Sequence, residues 1–110
     1  MLILSLIVNV AVLVPVLWGL LSGSPGSEAA FGPDAAARRI LVCVYLAIAA
    51  LSAVLLTWPA ARTALGPGLL AVQVGYKLAT VVALGPAHPV ALANLAIAAL
   101  HATTLAVIFR

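Results

Sequence analysis

Four apolar stretches run through the chain at about 1–21, 36–58, 66–84 and 89–109, and polar breaks rich in Gly, Pro and Ser separate them. Each stretch approaches the roughly 20 residues that carry a helix across a hydrocarbon core about 30 Å thick. None alternates as a barrel strand would, and in lipid a span must satisfy its own backbone groups. The predicted fold is therefore all-α, an integral membrane four-helix bundle with short loops. The whole of 1–110 is expected to form one transmembrane domain.

The breaks set the connections. Ser22 to Asp34 is the longest and reads as the one real loop, with Asp34 as the N-cap of the second helix and Arg38–Arg39 as its headgroup anchor. Pro59 to Pro67 reads as a short polar turn after Trp58. Gly85-Pro86-Ala87-His88-Pro89 places glycine just past one helix and proline at the first position of the next. That is a tight hairpin, so spans three and four are predicted to be antiparallel neighbours. Inside the first span Pro15 removes an amide donor, and a kink that frees the carbonyl of Ala11 is expected there. No Lys or Arg precedes this span, so a cleaved signal is not favoured, although Ala29-Ala30 follows it.

The third stretch holds the only charge inside an apolar run. At 100° per residue, Gln73, Tyr76, Lys77 and Thr80 share one arc of about 100°, while Val72, Val74 and Val82 lie opposite. A central Lys costs about 2.5–3.5 kcal/mol on an insertion scale, and each Leu or Val returns about 0.3–0.6. The span is marginal alone, so its polar arc should face the bundle. Counting depth at 1.5 Å per residue places Lys77, Tyr76, His101 and Asn9 close to the midplane. Gln73 comes next, and Tyr45 and Asn94 lie nearer the face of the first loop. Asn94 and His101 share a helix face with Ala91, Ala98 and Ala102 beside them. The candidate site is thus an intramembrane polar layer of Lys77, Gln73, Tyr76, Thr80, His101, Asn94, Asn9 and Tyr45. Asn9 is read first as an interhelical hydrogen bond.

Composition sharpens this picture. Hydrophobic residues make up 66% of the chain and charged residues 6%, against roughly 25% charged in a soluble domain. So few charges cannot coat a water-facing surface, and the lipid bilayer is the expected partner. The net charge of +3 is scattered over Arg38, Arg39, Arg62, Lys77 and Arg110, which argues against nucleic acid. The single cysteine, Cys43, rules out an intrachain disulfide or a Cys-x-x-Cys pair and reads as a buried packing residue. The spans contain no carboxylate, unlike small proton-coupled multidrug exporters, which depend on an embedded Glu. A haem would need two embedded axial ligands, but only His101 lies within a span, because His88 sits in a turn. No cofactor or metal is expected, and no nucleophile–base pair marks an enzyme.

Two functions remain. One is a non-enzymatic assembly or accessory membrane protein, packed against itself or another membrane subunit, with the polar layer internally satisfied and no cavity. The other is an oligomeric transporter or binder of a small anionic or polar molecule, with a cavity ending at Lys77. The sequence prefers the first, because nothing else in it resembles a dedicated substrate site. An intramembrane lysine nonetheless leans towards function. The Ala-rich, short-loop composition suggests a bacterial inner membrane. Lys and Arg tie across the two faces, and both termini are placed in the cytoplasm only because the acid-containing loop then lies outside.

Overall fold

The structure, a computed structural model, describes residues 1–110. It contains five helices and no strand: α1 (Leu2–Ser22), α2 (Pro25–Phe31), α3 (Ala36–Thr57), α4 (Pro59–Leu84) and α5 (Pro89–Phe109). Four of them, α1, α3, α4 and α5, are long and apolar enough to cross a membrane. Their buried positions are spaced three and four residues apart: Leu6, Asn9, Leu13, Leu17 and Leu20 on α1, and Tyr45, Ile48, Ser52 and Leu55 on α3. On α4 the stripe is Gly66, Leu70, Gln73 and Lys77, and on α5 it is Ala91, Asn94, Ala98 and His101. Such spacing gives each helix one inward seam and near-parallel bundle packing.

The bundle is two antiparallel pairs. α1 packs mainly on α3 and α4 mainly on α5, while α3 meets α4 less closely and α1 only touches α4 and α5. Only 22 of 110 residues are buried, so the outer faces stay apolar, with Trp18, Ile40, Leu46, Val72, Val82 and Leu92 all exposed. Soluble monomers rarely show apolar surface of this extent. Lipid is the solvent that suits it.

The hairpin of α4 and α5 forms as the sequence suggests. Gly85, at φ 85°, closes α4, His88 caps α5 by accepting the amide of Val90 on Nδ1, and Pro89 occupies the first turn. Other connections differ. The stretch Ser22–Asp34 is not a plain loop but contains α2, capped by Ser24 with Pro25 at its first position. Pro59–Pro67 is not a turn either. It is the first two turns of α4, joined to α3 through Trp58 alone, because Pro59 suits the start of a helix and Ala60, Ala61, Ala64 and Leu65 carry it on. Gly66 lets α1 close in, since a β-carbon there would stand 3.0 Å from the Leu2 methyls.

The charged residues do different work from that expected. Asp34 is not the cap of α3, which begins after Ala35 without a side-chain cap; Asp34 instead pairs with Arg39 at 3.0 Å in water. Arg38 is not a headgroup anchor. It is buried, at 7% exposure, and its guanidinium donates to the carbonyl of Leu20 at 2.9 Å and of Gly32 at 3.2 Å. These are end carbonyls of α1 and α2, which lack partners within their own helices. Arg62 serves the abrupt α3–α4 corner the same way, donating to the carbonyls of Leu55 and Leu56. Cys43 and Ala102 are exposed on outer faces, not buried, because the inward stripes pass through Tyr45 and His101. α1 continues as helix through Pro15, whose proline ring is on the exposed side.

Candidate functional site

The α4 stripe carries Gln73 and Lys77 inward, leaving them 1% and 4% exposed. Thr80 is half-buried one turn on and donates to its own helix, at the carbonyl of Tyr76. The Val72 and Val82 side faces out. The inward polar groups do not form one layer across the bundle. They separate into two clusters.

The first cluster ties α1 to α5 and α3. Ser5 and Asn9 lie one turn apart on α1, and Thr104 and His101 lie three residues apart on antiparallel α5. Ser5 Oγ meets Thr104 Oγ1 at 2.7 Å, and Asn9 Oδ1 meets His101 Nε2 at 2.9 Å. Asn9 Nδ2 also donates to Ser52 Oγ on α3 at 3.1 Å. The hydrogen directions follow. Because the Asn9 amide nitrogen is committed to Ser52, its oxygen accepts, so His101 is the Nε2–H tautomer. Thr104 gives its hydrogen to the carbonyl of Leu100, so Ser5 is the donor across the seam. All five side chains are buried. Only His101 Nδ1, a lone-pair acceptor in this tautomer, has no partner.

The second cluster is Lys77 and Asn94. Lys77 Nζ donates to Asn94 Oδ1 at 3.1 Å and stands 5.0 Å from the centre of the Tyr76 ring, within cation–π range. Asn94 is five residues, about 7.5 Å, into α5, and the length of the lysine side chain bridges the level between them. No carboxylate approaches the ammonium. An ammonium has three donors, and Asn94 is the one protein acceptor that Lys77 reaches. Gln73 Nε2 and Tyr76 Oη are likewise buried without partners.

This second cluster borders empty space. A cavity of about 180 Å³ is walled by Val12, Leu13 and Val16 of α1, by Pro89, Val90, Ala93, Asn94 and Ile97 of α5, and by Lys77, Tyr45 and Phe31. A second cavity of about 460 Å³ lies between α3, α4 and α5 under α2, and Tyr76, Thr80 and His88 line it. Phe31, Tyr45, Val90 and Asn94 belong to both walls. Phe31 stands edge-on to Tyr45, with ring centres 6.1 Å apart, and both rings border the two spaces.

The helix that delivers Phe31 is held at several points. Arg38 bonds Gly32 at the end of α2, and Gly19 of α1 gives room for Ser27, since a β-carbon there would lie 2.5 Å from the Ser27 hydroxyl. Residues bracketed by the sequence thus fall in three places. Asn9 and His101 pair with each other, Lys77 pairs with Asn94, and Tyr45, Tyr76 and Thr80 line cavity walls. Gln73 is buried between the clusters' helices without a bond to Lys77. Ser5, Ser52 and Thr104 also belong to the buried polar interior and were not singled out by sequence, and Arg38 joins it in place of the headgroup role read for it. The signals for Ser5 and Thr104 were the one-turn spacings Ser5–Asn9 and His101–Thr104.

Comparison with known protein families, with characterised proteins and with solved structures yields no match to this chain.

Proposed function

We propose that this chain crosses the bilayer four times and binds a small anionic or polar molecule at Lys77. The observation that supports this is the cavity bordered by Lys77 and Asn94. An ammonium with one neutral protein partner and no carboxylate, beside empty space, is an arrangement a bound anion completes. A lysine serving only to hold helices together would be closed in by acceptors. The composition supports a bacterial inner membrane as the location.

The experiment is a thermal-shift series on the purified protein with acetate, phosphate and chloride, repeated on Lys77→Met. A ligand that binds only the folded state stabilises it by about 2.7 kcal/mol at a hundred times its Kd. Stabilisation of the wild type that disappears in a well-folded Lys77→Met protein supports the reading. Absence of any anion-dependent shift in the wild type removes it and leaves assembly.

One observation keeps the assembly reading in view. Cys43, Ala47 and Ala50 form an exposed run of small residues on the outer face of α3, and small residues let membrane helices approach closely. Oxidative dimerisation through Cys43 in native membranes supports a homo-oligomer, and its absence at full oxidation argues against this face.

A further inference from the structure

We infer that the molecule taken at Lys77 is a single-chain anionic amphiphile, an alkyl carboxylate, admitted from the bilayer between α1 and α5. This deepens the binding reading above and rests on it.

The head-group end is a cation. Lys77 is 4% exposed and uses one donor on Asn94 Oδ1 at 3.1 Å. The chain's two acids are elsewhere: Asp34 is paired with Arg39 in water and Glu28 is on α2. A carboxylate at this point would accept the remaining ammonium donors in charge-assisted bonds, and Asn94 Nδ2 is available on the same side chain. The other end is apolar. Val12, Val16, Ala93 and Ile97 form the walls leading away from Lys77, and a purely polar anion would leave them facing nothing. An alkyl chain matches them.

Volume and entry narrow the class. About 180 Å³ is room for roughly six groups the size of a water or a methylene, at about 30 Å³ each. That admits one short chain and no second. The access follows from the packing. α1 and α5 touch sparingly, and their bonds are confined to Ser5–Thr104 and Asn9–His101. At the level of the cavity α5 presents Pro89 and Ala93 to the outside and α1 contributes the half-buried Val12 and Val16, so the gap opens to the surrounding acyl chains.

The test uses the full chain in nanodiscs of neutral phosphatidylcholine, with titration calorimetry of hexanoate, hexanol and acetate. Hexanoate is expected to bind saturably, with hexanol and acetate each at least tenfold weaker. Lys77→Met removes the charge and Val12→Trp fills the chain channel while leaving the lysine. Each should weaken hexanoate tenfold or more, with helical circular dichroism unchanged. If acetate binds as well as hexanoate and survives Val12→Trp, the small-anion reading stands and the amphiphile is overturned. If hexanol matches hexanoate and Lys77→Met changes nothing, the alkyl compounds are merely partitioning and the inference falls. If none of the three binds while phosphate or chloride still stabilises the wild type, the inference falls and the reading beneath it stands; if those fail as well, both fall.

Discussion

Between Ser5 and Asn9, α1 meets α5 through two buried hydrogen bonds, with Ser52 of α3 locked to the same asparagine. Between Val12 and Val16 the same two helices part around a cavity that reaches Lys77. The polar residue types at the two ends are alike, small hydroxyls and amides with one basic ring or chain. The difference lies in matching. At the bonded end every side chain bonds another across the seam and only His101 Nδ1 is left without a partner, so the polar groups draw helices together. At the hollow end a cation with one neutral acceptor and an idle Tyr76 hydroxyl are left over, and an idle Gln73 amide lies between the two ends. An unmatched buried group costs more than a made bond contributes. The bonded end therefore reads as structure and the hollow end as a place prepared for something else.

The comparison breaks most visibly if the roof of the hollow end is released. Arg38→Met removes two charge-assisted bonds and strands the carbonyls of Leu20 and Gly32. A loss of about 3 kcal/mol is expected, read as a lower melting temperature in detergent with rapid amide exchange confined to α2. Uniform destabilisation without exposure of α2 would contradict the tether.

A smaller effect is expected at the bonded end. Asn9→Leu leaves His101 Nε2–H without an acceptor and should cost about 1–2 kcal/mol. Ser52→Ala, which removes only the acceptor for Asn9, should cost less. Equal tolerance of Asn9→Leu and of outward-facing substitutions such as Val82→Leu would show that the ladder contributes nothing.

Lys77→Met should change stability by less than about 1 kcal/mol, towards a higher melting temperature, because it removes a desolvated charge and keeps side-chain length. A marked loss of stability would make the hollow end structural after all, and the contrast would collapse.

The smallest effect belongs to the surface. Arg39 beside Asp34 holds its carboxyl below the usual aspartate range, chiefly by hydrogen bonding and then by charge. A lowered folded value means the pair's contribution is present above the ordinary aspartate pKa, about 3.9. It is lost only as pH falls through the lower folded value. Both groups are fully exposed, so screening leaves little to lose. Melting should be flat from pH 7 to 5 and indifferent to Asp34→Asn.

Much of this arrangement could be read from periodicity. The 100° arc puts Gln73 and Lys77 on the inward stripe of α4, and the seven-residue spacing does the same for Asn94 and His101 on α5. Depth counting brings Asn9 level with His101, and they bond. What resisted reading were partners set by side-chain length or by distant backbone. Lys77 reaches past its own level to Asn94, a partner open to it in the sequence that a count of Cα depths does not single out from Gln73 or Tyr45. Arg38 caps a carbonyl eighteen residues back in the chain, so an Arg-Arg pair at a span entrance looks like an anchor. Ser5, Ser52 and Thr104 are small enough to pass for packing residues. α2 was hidden by its Gly, Ser and Pro composition, although Ser24-Pro25 is a helix-start signal. The helical start of α4 was hidden by two prolines, Pro59, which suits a first turn, and Pro67, which the helix carries in its interior.

The contrast between the two ends is most directly measured by disulfide trapping across the α1–α5 seam, in a Cys43→Ala background. One protein carries Ser5→Cys with Thr104→Cys, and the other Val16→Cys with Ala93→Cys. The hydroxyls of Ser5 and Thr104 are 2.7 Å apart, whereas Val16 and Ala93, level with each other in the same antiparallel register, both line the cavity. Under mild oxidation in native membranes the first pair should cross-link rapidly and the second slowly or not at all. Equal rates at both levels, or a faster reaction at Val16 and Ala93, would contradict a seam that is bonded at one end and open at Lys77.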